Sequence, residues 1–193
     1  MADGSRWRNL GHYQARGISG GDAIGVGIER MVTGIRSSPD SRRGVRARMN
    51  YLSTPAGHQA MRQAGITATR RTMDAWQTGK RMPNRANRAR LDSAYWDLRR
   101  RNVAADLKRR LHSGGGTRVE IDPADQSNVH IKHRRALNTR RLTIRPRHWD
   151  AAVDAWLADD ARALKDLWDN EITPDLGTDY DAYTYVSSVG WAA

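Results

Sequence analysis

Apolar residues in the first part of the chain recur with the period of an α-helix. Five of them fall at positions i, i+4, i+7, i+8 and i+11, on one side of a helix: Ile24, Ile28, Met31, Val32 and Ile35. Asp22 precedes all of them and can cap the helix, because its carboxylate can accept hydrogen bonds from first-turn amides. Pro39 lies in the polar segment IRSSPDSRRG and indicates a loop. The pattern therefore predicts one helix that starts near Gly21 and ends before this loop.

Three further helical patterns follow, and each is bounded by residues that begin or end helices. Thr54 and Pro55 form an N-cap followed by proline at the first helical position, and Gly65 ends that helix. Thr69 can cap the next helix, and Gly79 can end it in a left-handed conformation. The predicted helices cover residues 56–64, 69–78 and 84–98, and the last either continues or restarts after Asn102 to reach residue 111.

The segment Ser113-Gly114-Gly115-Gly116 is the clearest break in the helical pattern. Apolar and polar residues then alternate from Thr117 to Ile121, which is typical of a half-buried strand. A second strand is predicted over residues 141–144, and residues 129–131 are a candidate for a third. These strands predict a small β element between two helical regions.

The helical period returns near the C-terminal end of the chain. A helix is predicted from His148, with Trp149 and Trp156 on its apolar side, and a short helix is predicted over residues 160–168. The tail from Thr173 to Ala193 shows no clear period. Residues 1–20 also lack a period and carry scattered Gly and Arg, which predicts a flexible basic arm.

The stretch from Gly65 to Pro83 has the layout of a helix-turn-helix, in which two short helices joined by a turn precede a longer one. In its second helix, Thr72, Met73 and Trp76 share one face, which is predicted to pack inward. The opposite face, predicted to meet solvent or DNA, carries Arg70, Arg71 and Asp74.

This stretch resembles the recognition half of the phage-repressor type of helix-turn-helix, with the pattern T-[IV]-x-x-W-x-x-G-x-x-x-P. That family usually has Gly-Val-Ser before the helix, whereas Thr67-Ala68-Thr69 stands here, so a longer turn is expected. The resemblance implies that Arg70 and Arg71 face base edges or flanking phosphates. It implies phosphate contacts, which position the protein without specifying sequence, from Lys80, Arg81, Arg85 and Arg88. The alternative for each arginine is a solvated helix face.

The chain is thus predicted to be mainly α, with a central helix-turn-helix, a small β appendage and a C-terminal helical region. The predicted divisions are a flexible arm (1–20), a helix with linker (21–45), a helix-turn-helix DNA-binding domain (46–112), a glycine-rich hinge with the β element (113–147) and an acidic helical region (148–193).

Charge is distributed unevenly along the 193 residues, whose formal net charge is +12. Residues 1–148 hold 31 Lys and Arg against 11 Asp and Glu, and residues 149–193 hold 2 against 10. A basic body with an acidic end suits a polyanionic partner such as DNA. The alternative is that a GC-rich genome has enriched Arg at solvated positions, but that does not explain the change of sign at Trp149.

Composition excludes several classes of chemistry. The chain has no Cys, so disulfides, thiolate metal sites and cysteine nucleophiles are ruled out. His130-x-x-His133 is the only close histidine pair and has no nearby carboxylate, so no metal and no cofactor are expected. The glycines of GISGGDAIGVG follow no apolar strand, which disfavours a nucleotide-binding loop. No apolar signal core or membrane span is visible, which predicts a cytoplasmic protein at the nucleoid, with no membrane partner.

The order of elements resembles the telomere terminal proteins of linear actinobacterial chromosomes and plasmids. Similar segments are Arg48-Met49-Asn50-Tyr51-Leu52, the closing run from Arg140 to Pro146, and a hydroxyl residue followed by Arg, here Thr117-Arg118. The resemblance implies binding to telomeric ends and a side-chain hydroxyl that accepts the first nucleotide from a partner DNA polymerase. Thr117 is then the candidate acceptor, with Ser113 and Ser127 as rivals, and a telomere-associated protein is a further expected partner.

Three functions remain open from the sequence. The first is a terminal protein that caps linear DNA and primes its replication, without being an enzyme itself. The second is a transcriptional regulator or plasmid copy-control protein that binds a palindromic operator as a homo-oligomer. The third is a structural or RNA-associated basic protein, for which a steep salt dependence without sequence preference is expected.

Overall fold

The computed structural model describes residues 13–192, so most of the predicted N-terminal arm, residues 1–12, lies outside the described part. The chain divides into two compact units. The helical unit is Val32–Val103, and the sheet unit combines the residues up to Met31 with those from Ala104 onward. The described residues form helices α1 (Gly20–Met31), α2 (Arg42–Tyr51), α3 (Pro55–Gln63), α4 (Arg70–Gln77), α5 (Arg85–Leu111), α6 (Pro146–Leu157) and α7 (Ala161–Leu167), and strands β1 (Ile18–Ser19), β2 (Thr117–Pro123), β3 (Arg140–Ile144) and β4 (Tyr185–Trp191).

Hydroxyl side chains cap the three short helices of the helical unit. Ser41, Thr54 and Thr69 each stand before the first helical residue in extended conformation, and each side chain accepts a first-turn amide. Pro55 occupies the first turn of α3, where its missing N–H costs nothing. Gly65, with φ +78°, follows the end of α3. The predicted signals at Thr54, Pro55 and Thr69 are therefore used as the sequence indicates, whereas Ser41 caps α2 from within the segment predicted as a loop.

One apolar core holds α2, α3, α4 and the first part of α5 together. Leu52 and Leu91 are fully buried, and Trp76 is 3% exposed. The hydroxyl of Tyr95, also in this core, accepts a hydrogen bond from the amide of Ile35 at 2.9 Å. Burial of apolar side chains of this size contributes about 1.5–3 kcal/mol each, so this core is the main source of the unit's stability.

The sheet unit is built on four antiparallel strands in the order β1-β4-β2-β3. Helices α1, α6 and α7 pack against one another, and α1 also packs against β4. Trp149 on α6 and Trp168 just after α7 are fully buried, as are Ile24 and Ile28 on α1. The first and last parts of the described chain thus share one core.

The prediction of a mainly helical protein with a small β element is confirmed. The first helix ends at Met31 rather than Ile35, and residues 129–131 do not form a strand, so that prediction is wrong. Part of the segment predicted as a flexible arm is ordered, because Ile18–Ser19 pairs with β4. The predicted separate N-terminal and C-terminal regions belong to the same compact unit.

Strand β4 was not predicted because its buried residues do not follow the alternation of a regular strand. Its buried residues, Val186 and Val189, are three apart rather than two or four. The register against β2 shifts at this point, between Asp122 and Pro123. An extra residue in one strand breaks the alternation on which sequence prediction of strands depends.

Candidate nucleic-acid interface

Helix α4 is the short element from which the predicted DNA contacts project. Thr69 caps it, with its Oγ1 accepting from the amide of Thr72 at 3.3 Å. The helix ends at Gln77 with Thr78 as its C-cap, and Gly79 follows with φ +74°, a conformation that glycine adopts without steric cost. The amide of Arg81 donates back to the carbonyl of Ala75 at 3.1 Å and closes the turn. Both ends of the eight-residue helix are therefore fixed by local hydrogen bonds.

The inner face of α4 is anchored to the core. Trp76 is buried, and Thr72 and Met73 are half-buried, as the helical spacing predicts. Helix α2 packs against α4, and the side-chain Nε2 of Gln77 donates a hydrogen bond to Asn50 Oδ1 at 3.2 Å. These contacts fix which face of α4 is turned outward.

The outer face of α4 carries the predicted base-contacting residues. Arg70, Arg71 and Asp74 are all exposed. Within residues 13–192, neither guanidinium has an ion-pair partner, so both positive charges are available to a ligand. A groove of about 430 Å³ borders Arg70 and Asp74, and it is lined also by Met49, Ser53, His58, Met61, Met73 and Gln77.

The four predicted phosphate contacts divide into two groups. Lys80, Arg81 and Arg85 are exposed. Arg88 is instead half-buried, and its guanidinium binds Asp40 Oδ1 at 2.7 Å and donates to the carbonyl of Pro83 at 2.9 Å. Because its donors serve these internal partners, the geometry does not favour the prediction that Arg88 contacts phosphate.

Sequence reasoning missed both a structural cation and several exposed ones. Arg48 is 3% exposed and belongs to the core rather than to the basic surface. Arg42, Arg43 and Arg46 on α2 are exposed and add positive charge to the helical unit. Nothing in the local sequence separates these arginines from Arg48, because all four lie in one short basic run.

Thr117, the predicted nucleotide acceptor, lies in the sheet unit at the start of β2. It is 6% exposed, and its hydroxyl donates to the carbonyl of Leu111 at the end of α5, at 2.8 Å. A hydroxyl held in this way cannot reach a nucleotide without opening the helix end. The geometry therefore does not favour Thr117 in that role.

The rival hydroxyl Ser113 is placed differently. It is exposed and precedes Gly114, Gly115 and Gly116, all of which have positive φ. It lines a cleft of about 970 Å³ whose charged walls are Arg109, Arg110, Arg118 and Glu120, and Thr117 lines the same cleft. Trp191 contributes an aromatic wall to the same cleft. The third hydroxyl, Ser127, is exposed and donates to Asp125 at 3.0 Å.

The structure also bears on metal and membrane binding. The rings of His130 and His133 are 6.3 Å apart and tilted, and His133 stacks on Tyr13. No cluster of three or more potential metal ligands is found among residues 13–192. None of the described helices combines the length and apolarity that crossing a bilayer requires.

Comparison with known proteins gives no further guide. No protein-family model matches the chain, and no curated protein or solved structure matches it significantly. Functional inference therefore depends on the geometry and charges described above.

Proposed function

We propose that the helical unit is a helix-turn-helix domain that binds duplex DNA. In this proposal α3 and α4 are the paired helices, and α4 enters the major groove. The observation that carries the proposal is the two-sided character of α4. Trp76 fixes one face in the core, while Arg70 and Arg71 extend from the other without an ion-pair partner in the described chain.

The dimensions of α4 support this assignment. A helix of eight residues is about 12 Å long, which is close to the width of the major groove of B-form DNA. Arg70 and Arg71 stand in the first turn, and the N-terminal residues of a recognition helix are those that reach base edges. Each can pair with guanine O6 and N7, and Asp74 can accept from the amino group of cytosine.

The exposed cations beyond α4 provide the positioning contacts. Lys80, Arg81 and Arg85 lie between the end of α4 and the first turn of α5. Phosphate contacts of this kind fix the register of a helix in the groove without reading sequence. Arg88 is left out of this set because it serves Asp40 and Pro83.

Selection of duplexes from a random pool by the full chain tests this proposal. Arg70→Ala and Arg71→Ala are expected to lower affinity for the selected duplex about tenfold or more each and to relax preference at one base pair. Arg162→Ala is the control, because Arg162 is a highly exposed cation on α7 in the sheet unit. Equal losses in all three variants, or none in the α4 variants, would contradict the proposal.

The footprint of the selected duplex distinguishes the cellular roles. Protection of a hairpin or of the terminal nucleotides supports action at the ends of linear DNA. Two symmetric half-sites about one helical turn apart support a dimeric regulator. Binding without sequence preference supports the structural or RNA-associated alternative.

Protein-primed replication of linear DNA ends is a second candidate function, and Ser113 is the observation that favours it. Both hydroxyls line the same cleft, but Ser113 is exposed, whereas Thr117 is 6% exposed and its hydroxyl donates to the carbonyl of Leu111. In this role the Oγ of Ser113 forms a bond to the α-phosphorus of a deoxynucleoside triphosphate, and pyrophosphate leaves. The partner polymerase supplies the metal ions and accepts the proton.

A labelling experiment tests the second function. The full chain is incubated with extract containing the cognate polymerase and a radiolabelled deoxynucleotide, then run on a denaturing gel. Label that resists nuclease and disappears in Ser113→Ala, but remains in Ser127→Ala, supports priming from Ser113. Loss in Thr117→Ala alone, with that variant folded by circular dichroism, would restore Thr117 as the acceptor. Absence of label would reject priming.

A further inference from the structure

The connection between β2 and β3, residues 124–139, is here called the β2–β3 loop. Apart from Asp125, it carries no acidic residue, and it opens a dense stretch of positive charge. Residues 126–149 contain seven Lys and Arg and no Asp or Glu. A segment of this length without a carboxylate repels cationic partners and attracts a polyanion.

The loop is a built structure rather than a loose connection. The side chain of Gln126 bridges it, because its Oε1 accepts from the amide of Arg135 at 2.7 Å and its Nε2 donates to the carbonyl of Arg135 at 3.0 Å. The guanidinium of Arg134 donates to the carbonyls of Val129 and Ser127, both at 2.8 Å. Val129 is only 1% exposed and anchors the loop in the sheet unit. These contacts hold the loop in one conformation.

This conformation presents an apolar side chain to solvent. Ile131 begins a single turn of 3-10 helix and is 77% exposed. The next most exposed of the large apolar residues in the described chain, Ile18 and Val26, reach only 43%. Folding therefore leaves most of the Ile131 side chain exposed to water, and its burial contributes little to stability.

Polar and cationic side chains surround Ile131. His130 and Lys132 are its neighbours and are both exposed. His133 stacks on Tyr13 with ring centroids 4.3 Å apart, which limits its motion. An exposed apolar tip beside a lysine, on a loop tied by its own hydrogen bonds, suits a wedge of the kind that minor-groove binders insert between base pairs.

We propose that the β2–β3 loop is a second DNA contact, which inserts Ile131 between base pairs in the minor groove of duplex DNA while Lys132 binds a phosphate. This contact is made by the sheet unit and is separate from that of α4. It shares with the proposed function only the choice of DNA as the partner. Partial unstacking by such a wedge bends the duplex, which provides a signal separate from affinity.

Bending is measured with the full chain and a mixed-sequence duplex of about 30 base pairs that contains a flexible TA step and carries a fluorophore at each end. Wild type is expected to increase energy transfer between the ends. Ile131→Ala is expected to abolish most of this increase while lowering affinity less than about tenfold. Val26→Ala, which shortens an exposed apolar residue on α1, is expected to bend DNA as wild type does.

The charge contribution is measured by salt titration of the same duplex. Lys132→Ala is expected to reduce the slope of log affinity against log salt by about one. Lys165→Ala removes an exposed lysine on α7 and should leave the slope unchanged. Circular dichroism confirms that each variant is folded.

Each outcome decides the inference. Bending by Ile131→Ala equal to wild type would overturn it, even if the Arg70 and Arg71 variants lose sequence preference. Loss of bending in Ile131→Ala would support the inference. If Arg70→Ala and Arg71→Ala then keep wild-type affinity and base preference, the proposed role of α4 is rejected. Failure of wild type to bind the duplex at low salt would overturn both. Equal, Ile131-dependent binding to duplex RNA would also overturn it, since the RNA minor groove is wide and shallow.

Discussion

The Nε of Arg48 and the Oδ1 of Asp92 lie 2.6 Å apart, joining α2 to α5 within the core of the helical unit. The guanidinium also donates to the carbonyls of Ser37 and Gly44 and lies over the ring of Tyr95. A buried cation is costly unless its donors are satisfied, and here each contact reduces that cost. The position of α2, the helix against which α4 packs, therefore depends on this one charged contact with α5.

Removal of the anion in this pair should destabilise the helical unit. Asp92→Ala is expected to lower its free energy of unfolding by about 2–3 kcal/mol, because Arg48 stays buried without its charged partner. Urea unfolding of the full chain followed by tryptophan fluorescence measures the change. Asp97→Ala is the control, since Asp97 pairs with Arg101 on the surface of α5 and has no other ion-pair partner within residues 13–192, and a change below about 0.5 kcal/mol is expected. Equal effects of the two substitutions would contradict this account.

The N-cap of α4 should contribute to the stability of the helical unit. Thr69→Ala removes the acceptor for the amide of Thr72 and is expected to cost about 1 kcal/mol of stability. Thr69→Asp supplies another acceptor and should retain most of that stability. Urea unfolding of the two variants checks this, with Thr67→Ala, an exposed residue outside the helix, as the control. A Thr69→Ala variant as stable as wild type would mean that the cap is not needed.

The sheet unit depends on a close contact at the start of α1. A Cβ added to Gly20 would lie 1.9 Å from Cε2 of Trp168, whose indole nitrogen donates to the carbonyl of Tyr183. Gly20→Ala must therefore displace a buried ring, at a cost of about 1–3 kcal/mol. Thermal unfolding should show a lower transition temperature for Gly20→Ala. Gly190→Ala should keep the wild-type transition temperature, because a Cβ at Gly190 meets nothing within 4 Å. Matching transition temperatures in the two variants would refute this contact's importance.

His148 should make the sheet unit less stable in mild acid. Burial lowers the pKa of His148 below its ordinary value of 6.5, and the neighbouring Arg147 and Arg145 lower it further, against the opposite influence of Glu171 and Asp175. Its Nε2 accepts a hydrogen bond from Arg147 at 2.8 Å, which requires the neutral ring.

The sign of the pH dependence follows from the lowered pKa. The unfolded chain binds a proton at His148 more readily than the folded chain, so stability is full above about pH 6.5 and falls as pH decreases toward the folded pKa. Urea midpoints at about pH 7.5 and 5.5 should differ more for wild type than for His148→Gln. His58→Gln, at an exposed histidine, should retain the wild-type difference. An unchanged difference in His148→Gln would assign the effect to other groups.

Local signals account for the parts of the fold that sequence predicted well. Thr69 and Gly79 set the ends of α4 through contacts with residues at most three positions away, and such contacts can be inferred from sequence alone. The same holds for the choice of Trp76 as the buried residue, because helical spacing fixes its face.

Contacts between distant residues account for what could not be predicted. Arg48 and Asp92 are 44 positions apart, and only the packed core distinguishes Arg48 from the exposed arginines around it. The alternation from Thr117 to Ile121 places Thr117 on the buried face of β2, but it does not reveal the carbonyl of Leu111 to which the Thr117 hydroxyl donates. Arg88 was predicted to contact phosphate because its actual partner, Asp40, is 48 positions away and cannot be recognised from the local sequence.

Selection of duplexes from one random pool by wild type and by Arg71→Ala tests the central claim, that α4 reads duplex DNA, most directly. We expect wild type to enrich a defined sequence and Arg71→Ala to lose preference for one guanine within it, with the remaining positions unchanged. If both proteins enrich the same sequence with the same preference at every position, α4 does not read the DNA and the account is wrong.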